Sequence, residues 1–137
     1  MISTLQAFLI QAVKEQTAKE IRLSERFTEN FKIKAISLDE WQNIQRLSVT
    51  PEAGGRVDQI GLLKRTAIEG CVDPNFKSEE FIQAVDEATP EDVPVKTPGQ
   101  ALCATLNAGE ITRLANAVLK FSGFGESVEE ARREAQD

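Results

Sequence analysis

The run Ile21-Arg22-Leu23-Ser24-Glu25-Arg26-Phe27-Thr28-Glu29-Asn30-Phe31-Lys32-Ile33-Lys34-Ala35 marks a change of period in the chain. Ile21, Leu23 and Phe27 share one parity, as do Phe31, Ile33 and Ala35. Arg22, Ser24, Arg26, Lys32 and Lys34 share the other. Alternation in two short runs joined through Thr28, Glu29 and Asn30 predicts a β-hairpin with an apolar inner face and a basic outer face. The outer face Arg22/Arg26/Lys32/Lys34 has two readings. It is a docking patch, or it is the solvated side that any half-buried hairpin needs, with Lys and Arg guarding an edge.

On either side of this run the period is helical. Leu5, Phe8, Leu9, Ala12 and Val13 recur at i, i+3, i+4, i+7 and i+8, which predicts an amphipathic helix over 4–14, capped by Ser3 with Gln6. Ser37 with Glu40 opens a second helix through Trp41, Ile44 and Leu47. Its tryptophan is a core residue or a partner anchor, the former being commoner in small domains. Residues 49–56, with Pro51, Gly54 and Gly55, form a loop and the best internal sub-boundary. Ile60, Leu63, Ala67, Ile68 and Cys71 then form a helical stripe that Gly70 helps to close, and Asp73-Pro74-Asn75 breaks the chain. Ser78 caps a short helix with Phe81, Ile82 and Val85 inward and Glu79 and Glu80 at its positive end. Pro90, Pro94 and Pro98 make 88–98 a connection with scope for motion. Thr97 and Pro98 begin a helix ending near Leu106. Asn107 with Glu110 opens the last, striped by Ile111, Leu114, Ala115, Val118 and Leu119 and ended by Ser122-Gly123. The predicted fold is α+β, mostly α: an N-terminal helix and β-hairpin packed with a C-terminal bundle of four to five helices. The predicted organisation is one domain over 1–124 followed by a charged tail over 125–137, frayed or disordered.

Composition narrows the function. The 137 residues, 41% hydrophobic and 28% charged, suit one soluble globular domain. Met1 to Val13 has no basic n-region or cleavage site, and no apolar run spans a bilayer, so a cytosolic protein is expected. There is no histidine, which removes triads and HExxH zinc sites. Cys71 and Cys103 lack metal-like spacing and read as small core residues of a reducing compartment. The acidic pairs lack calcium-loop spacing, and Gly123-Phe124-Gly125 follows a helix instead of preceding one, so neither a metal site nor a phosphate loop is expected. No catalytic constellation and no cofactor site emerges. Residues 1–50 hold 7 basic and 6 acidic side chains against 9 and 16 in 51–137, a net −6 that disfavours nucleic acid and anionic membranes. What remains is a protein that works through surfaces, with grooves between helices that accept apolar helices of a partner. Phe121 and Phe124 are the candidate partner-binding residues, as an exposed apolar patch. The competing reading makes Phe124 the hydrophobic contact of a Schellman-type C-cap.

Four places resemble the XkdN-like tail assembly chaperones of tailed phages and phage-like elements. These are Ser3-Thr4-Leu5-Gln6-Ala7-Phe8-Leu9, Phe31 to Ile36 followed by Ser37, the helix ending in Cys71-Val72-Asp73-Pro74-Asn75-Phe76, and Leu106-Asn107-Ala108-Gly109-Glu110-Ile111 with Phe121-Ser122-Gly123-Phe124. The family pattern tends to stop near that Ser-Gly-Phe, whereas this chain continues to Asp137. The resemblance implies a non-enzymatic factor that binds the apolar helices of the tape measure protein and keeps it soluble during tail tube assembly. It also implies residence in the host cytoplasm, absence from the mature virion, and room for contacts with other tail proteins or with itself. The alternatives are a structural tail or baseplate adaptor of the virion and, last, an acidic DNA mimic.

Overall fold

The computed structural model describes residues 3–10, 18–49 and 55–124. Side-chain caps start most of its helices. Ser3 accepts from the Gln6 N–H, Ser37 from Glu40, Ser78 from Phe81, Thr97 from Gln100 and Asn107 from Glu110. Each satisfies an N–H that a helix start leaves without a partner. The elements in order are α1 (Thr4–Leu9), β1 (Lys19–Ile21), β2 (Phe31–Ile33), α2 (Leu38–Leu47), α3 (Gln59–Gly70), β3 (Cys71–Asp73), α4 (Glu79–Ala88), α5 (Pro98–Thr105) and α6 (Ala108–Phe121). The fold is α+β and mostly α, as the periodicity predicts. Residues 11–14 of the first predicted helix, most of the 49–56 loop and the 125–137 tail lie outside the described residues. Ser37→Ala is expected to lower stability by about 1 kcal/mol by orphaning the first turn of α2, measured by urea denaturation.

The hairpin forms with shorter strands and a longer connection than the alternation implies. Lys19 pairs with Ile33, Glu20 with Lys32 and Ile21 with Phe31. Residues 22–30 form the connection, and Leu23, although outside the strands, is fully buried. A third strand was not anticipated. Cys71, read above as the end of a helical stripe, starts β3, which pairs antiparallel with β2 through Ile33↔Cys71 and Lys32↔Asp73. The helix ends one residue earlier because the Lys34 N–H takes the Gly70 carbonyl at 2.8 Å, turning the chain into the sheet.

The main core joins the inner sheet face (Phe31, Ile33, Cys71) to Trp41 and Ile44 of α2, Leu62 and Ala67 of α3 and the Ile111/Leu114/Ala115/Val118/Leu119 stripe of α6. Trp41 is a core residue. In α3 the buried row is Leu62, Thr66, Ala67 and Gly70, so Ile60, expected in that stripe, faces solvent at 69% exposure. The α3–α6 contact is the most extensive between elements. It depends on Gly70: a Cβ there would lie 2.2 Å and 2.5 Å from the two methyls of Val118. A smaller cluster of Val85, Val95 and Ala101 lies between α4 and α5. Its Val95 anchors the proline-rich connection, and the Asp86 carboxylate accepts from the Val95 N–H at 2.8 Å and from the Lys96 ammonium at 3.2 Å. That segment is thus fastened at its centre. α1 differs from the rest, since none of its residues is buried.

Candidate functional site

The 22–30 connection has few ladder bonds of its own, and α6 holds it. Arg113 donates to the Leu23 carbonyl at 2.7 Å. The Glu110 carboxylate accepts from Ser24 Oγ at 2.6 Å, from Arg26 Nε at 2.7 Å and Nη2 at 2.6 Å, and from the Asn107 N–H at 2.9 Å. Glu110 is 2% exposed. A buried carboxylate needs this kind of saturation, and the planar guanidinium supplies two parallel donors. The Arg26 bond is the largest influence on its acidity. With Ser24 and the Asn107 N–H it outweighs desolvation and holds the carboxyl at about 2, below its ordinary 4.5.

Arg26, held by this lock, lines a cleft of about 780 Å³. Its apolar lining is Phe27, Phe31, Pro74, Phe76, Phe81 and Leu106. Phe27 meets Phe31 with centroids 5.2 Å apart, Phe76 meets Phe81 edge-on at 5.2 Å, and the Arg26 guanidinium lies 4.4 Å above the Phe27 ring. Phe31 and Phe76 are buried, so Phe27 and Phe81, both half-buried, present most of the aromatic surface. Charges of both signs stand around it: Glu20, Arg26, Glu29, Lys32 and Asp73. An apolar floor with a polar, mixed-sign rim suits one face of an amphipathic helix.

The hairpin's predicted basic face is not a continuous patch. Arg26 turns to Glu110, Lys34 pairs with Glu40, and Lys32 is flanked across the sheet by Glu20 and Asp73. Acids on other elements neutralise it, Glu40 only six positions from Lys34 and Glu110 84 positions from Arg26; parity alone does not register them. Phe121 and Phe124 do not line the cleft. Both are half-buried against the main core, Phe124 meeting Trp41 with ring centroids 5.2 Å apart at a 41° tilt and Phe121 lying under Lys19 Nζ at 5.9 Å. The Phe124 N–H bonds the Leu119 carbonyl, the Gly123 N–H bonds that of Lys120, and Gly123 has φ +92°. That is the Schellman arrangement, with Phe124 as its apolar contact.

The two thiols differ in access. Burial, reinforced by the charge of Asp73, pushes the Cys71 thiol up to about 12, so it stays protonated at neutral pH, while Cys103 is exposed. Among the described residues no cluster of His, Cys, Asp or Glu is placed to hold a metal ion, and no helix is long and apolar enough to cross a membrane.

Fold and cleft define a small α+β module with an aromatic-floored cleft on one side. The description Phage XkdN-like tail assembly chaperone protein matches residues 5–136, and the chain belongs to that family. The match includes the stretch after Phe124, which the resemblance had placed beyond the family pattern. Membership implies protein partners in tail assembly. The crystal structure of the protein yqbn has the same fold, with a TM-score of 0.61 and 24% identity over 80% of this chain and 88% of that one. No curated protein shows significant sequence similarity to the chain.

Proposed function

We propose that this chaperone binds apolar helices of the tape measure protein in the cleft between the 22–30 connection and the α4–α5 side, keeping that protein soluble until the tail tube polymerises around it. The observation that carries the reading is the cleft's aromatic floor within a rim of mixed charge. An aggregation-prone helix is recognised by burying one apolar face, and the rim satisfies the polar residues beside it. The half-buried edges of Phe121 and Phe124 make a second, smaller contact, because most of each ring is already engaged. The role needs no catalysis or cofactor. It places the protein in the host cytoplasm and leaves it out of the finished virion.

The test is co-expression with the tape measure protein. The wild type is expected to keep it soluble and to co-purify with it. Phe27→Ser, whose ring lies at the cleft, is expected to weaken that complex about tenfold or more, as loss of an interface aromatic does. Glu29→Arg, which alters the rim and leaves the core intact, is expected to change the salt dependence of binding. Unchanged solubility of the tape measure protein with and without the wild-type chain would refute the proposal.

A further inference from the structure

The exposed face of α1 has no partner in the core. Leu5, Phe8 and Leu9, one stripe at i, i+3 and i+4, are 65%, 61% and 47% exposed, and none belongs to either core cluster. Single exposed apolar residues are ordinary; a contiguous helical stripe of them marks a surface that something covers. Two facts on the chain point to the occupant. Nine residue steps separate Ile10 from Lys19, a reach of at most roughly 30 Å, and the next residue, Glu20, stands in the wall of the aromatic cleft. The segment 1–13 has no charged side chain, so the α1 stripe meets the mixed-sign rim without like-charge repulsion between side chains.

We infer that α1 is a strap for the cleft of its own chain: Leu5, Phe8 and Leu9 dock beside Phe27, Phe81 and Leu106 until a partner helix displaces them. The arrangement described above, with α1 clear of the cleft, is the open one. A segment tethered this closely acts at a millimolar effective concentration. That favours its own cleft over the cleft of a second copy. The strap rests on the reading of the cleft as the helix-binding site and deepens it: α1 is an internal stand-in for the partner, keeping aromatic surface covered while the chaperone is empty.

Ala7, opposite the stripe, provides the probe position. In an Ala7→Cys/Cys103→Ser protein a nitroxide reacts at position 7 alone, because Cys71 is buried with its thiol pushed up to about 12. The strap predicts paramagnetic broadening of the amide signals of Phe27, Thr28, Phe81 and Leu106, unchanged when labelled protein is diluted into unlabelled protein. Unbroadened cleft signals would overturn it. Broadening of an isotope-labelled copy by a nitroxide on a different copy would overturn it in favour of exchange between two chains. Where the strap occupies nine clefts in ten, Leu5→Ser/Phe8→Ser is expected to tighten binding of a tape measure segment about tenfold. Intramolecular broadening combined with partner binding indifferent to Phe27→Ser would retain the strap and refute the cleft as the partner site. Partner binding that depends on Phe27 without any broadening would refute the strap alone.

Discussion

Gly70→Ala is expected to destabilise the protein by about 3 kcal/mol, the upper end of the cost of overpacking a core. The new methyl would stand 2.2 Å from Val118 Cγ1, 2.5 Å from Cγ2 and 2.9 Å from Cβ. Val118 is fully buried, and its branched side chain is stiff about χ1. A rotamer change moves the methyls but not the Cβ, so α3 or α6 must shift, and these two helices make the largest contact in the fold. The specific check is a double-mutant cycle read by urea denaturation. In a Val118→Ala background the cost of Gly70→Ala is expected to fall by at least about 1 kcal/mol, since two of the three clashing atoms are gone. Strict additivity, within about 0.5 kcal/mol, would show that the penalty arises elsewhere.

The second large effect concerns Glu110. Glu110→Gln replaces a saturated carboxylate by an amide that cannot accept from both Arg26 nitrogens, Ser24 and the Asn107 N–H. Loss of bonds to a charged group at a buried site is expected to cost about 2–3 kcal/mol at neutral pH. The pH dependence identifies the cause. The folded carboxyl sits at about 2, below its ordinary 4.5. Its stabilising contribution is therefore complete above about 4.5 and is lost as pH falls toward 2. Wild type and Glu110→Gln should accordingly converge in stability across that window. Glu40 follows the same sign: burial pushes it up, but its bonds from Lys34 and Ser37 outweigh that and hold it at about 2. Only the difference between wild type and variant isolates Glu110. A gap that stays constant from neutral pH to pH 2 would contradict the assignment.

The helices were legible because their signals are local. Ser37 with Glu40, Thr97 with Gln100 and Asn107 with Glu110 each lie within one turn, and the α6 stripe from Ile111 to Leu119 reports its own burial through its period. β3 was not legible. Cys71, Val72 and Asp73 are too short a run for alternation, and what makes them a strand is pairing with Ile33 and Lys32, far away in sequence. The cleft was hidden for the same reason. Phe27 and Phe31 read as hairpin inner face, and Phe76, Phe81 and Leu106 as parts of separate elements. Their convergence is long-range, as is the Arg26–Glu110 lock beside them, between residues 84 positions apart. Arg26 was read instead as an outer-face cation, since parity assigns a direction to a side chain but no partner. The signal nearest to the cleft was the local density of phenylalanine on both sides of the hairpin and the Asp-Pro-Asn-Phe break.

The central claim is that a partner's apolar helix occupies the aromatic cleft, and amide hydrogen exchange on the complex with the tape measure protein tests it most directly. The account predicts new protection concentrated at residues 26–32, 73–76, 81 and 105–106, beyond that of the free chaperone. Protection confined to the end of α6 around Phe121 and Phe124, with the cleft exchanging as in the free protein, would contradict it.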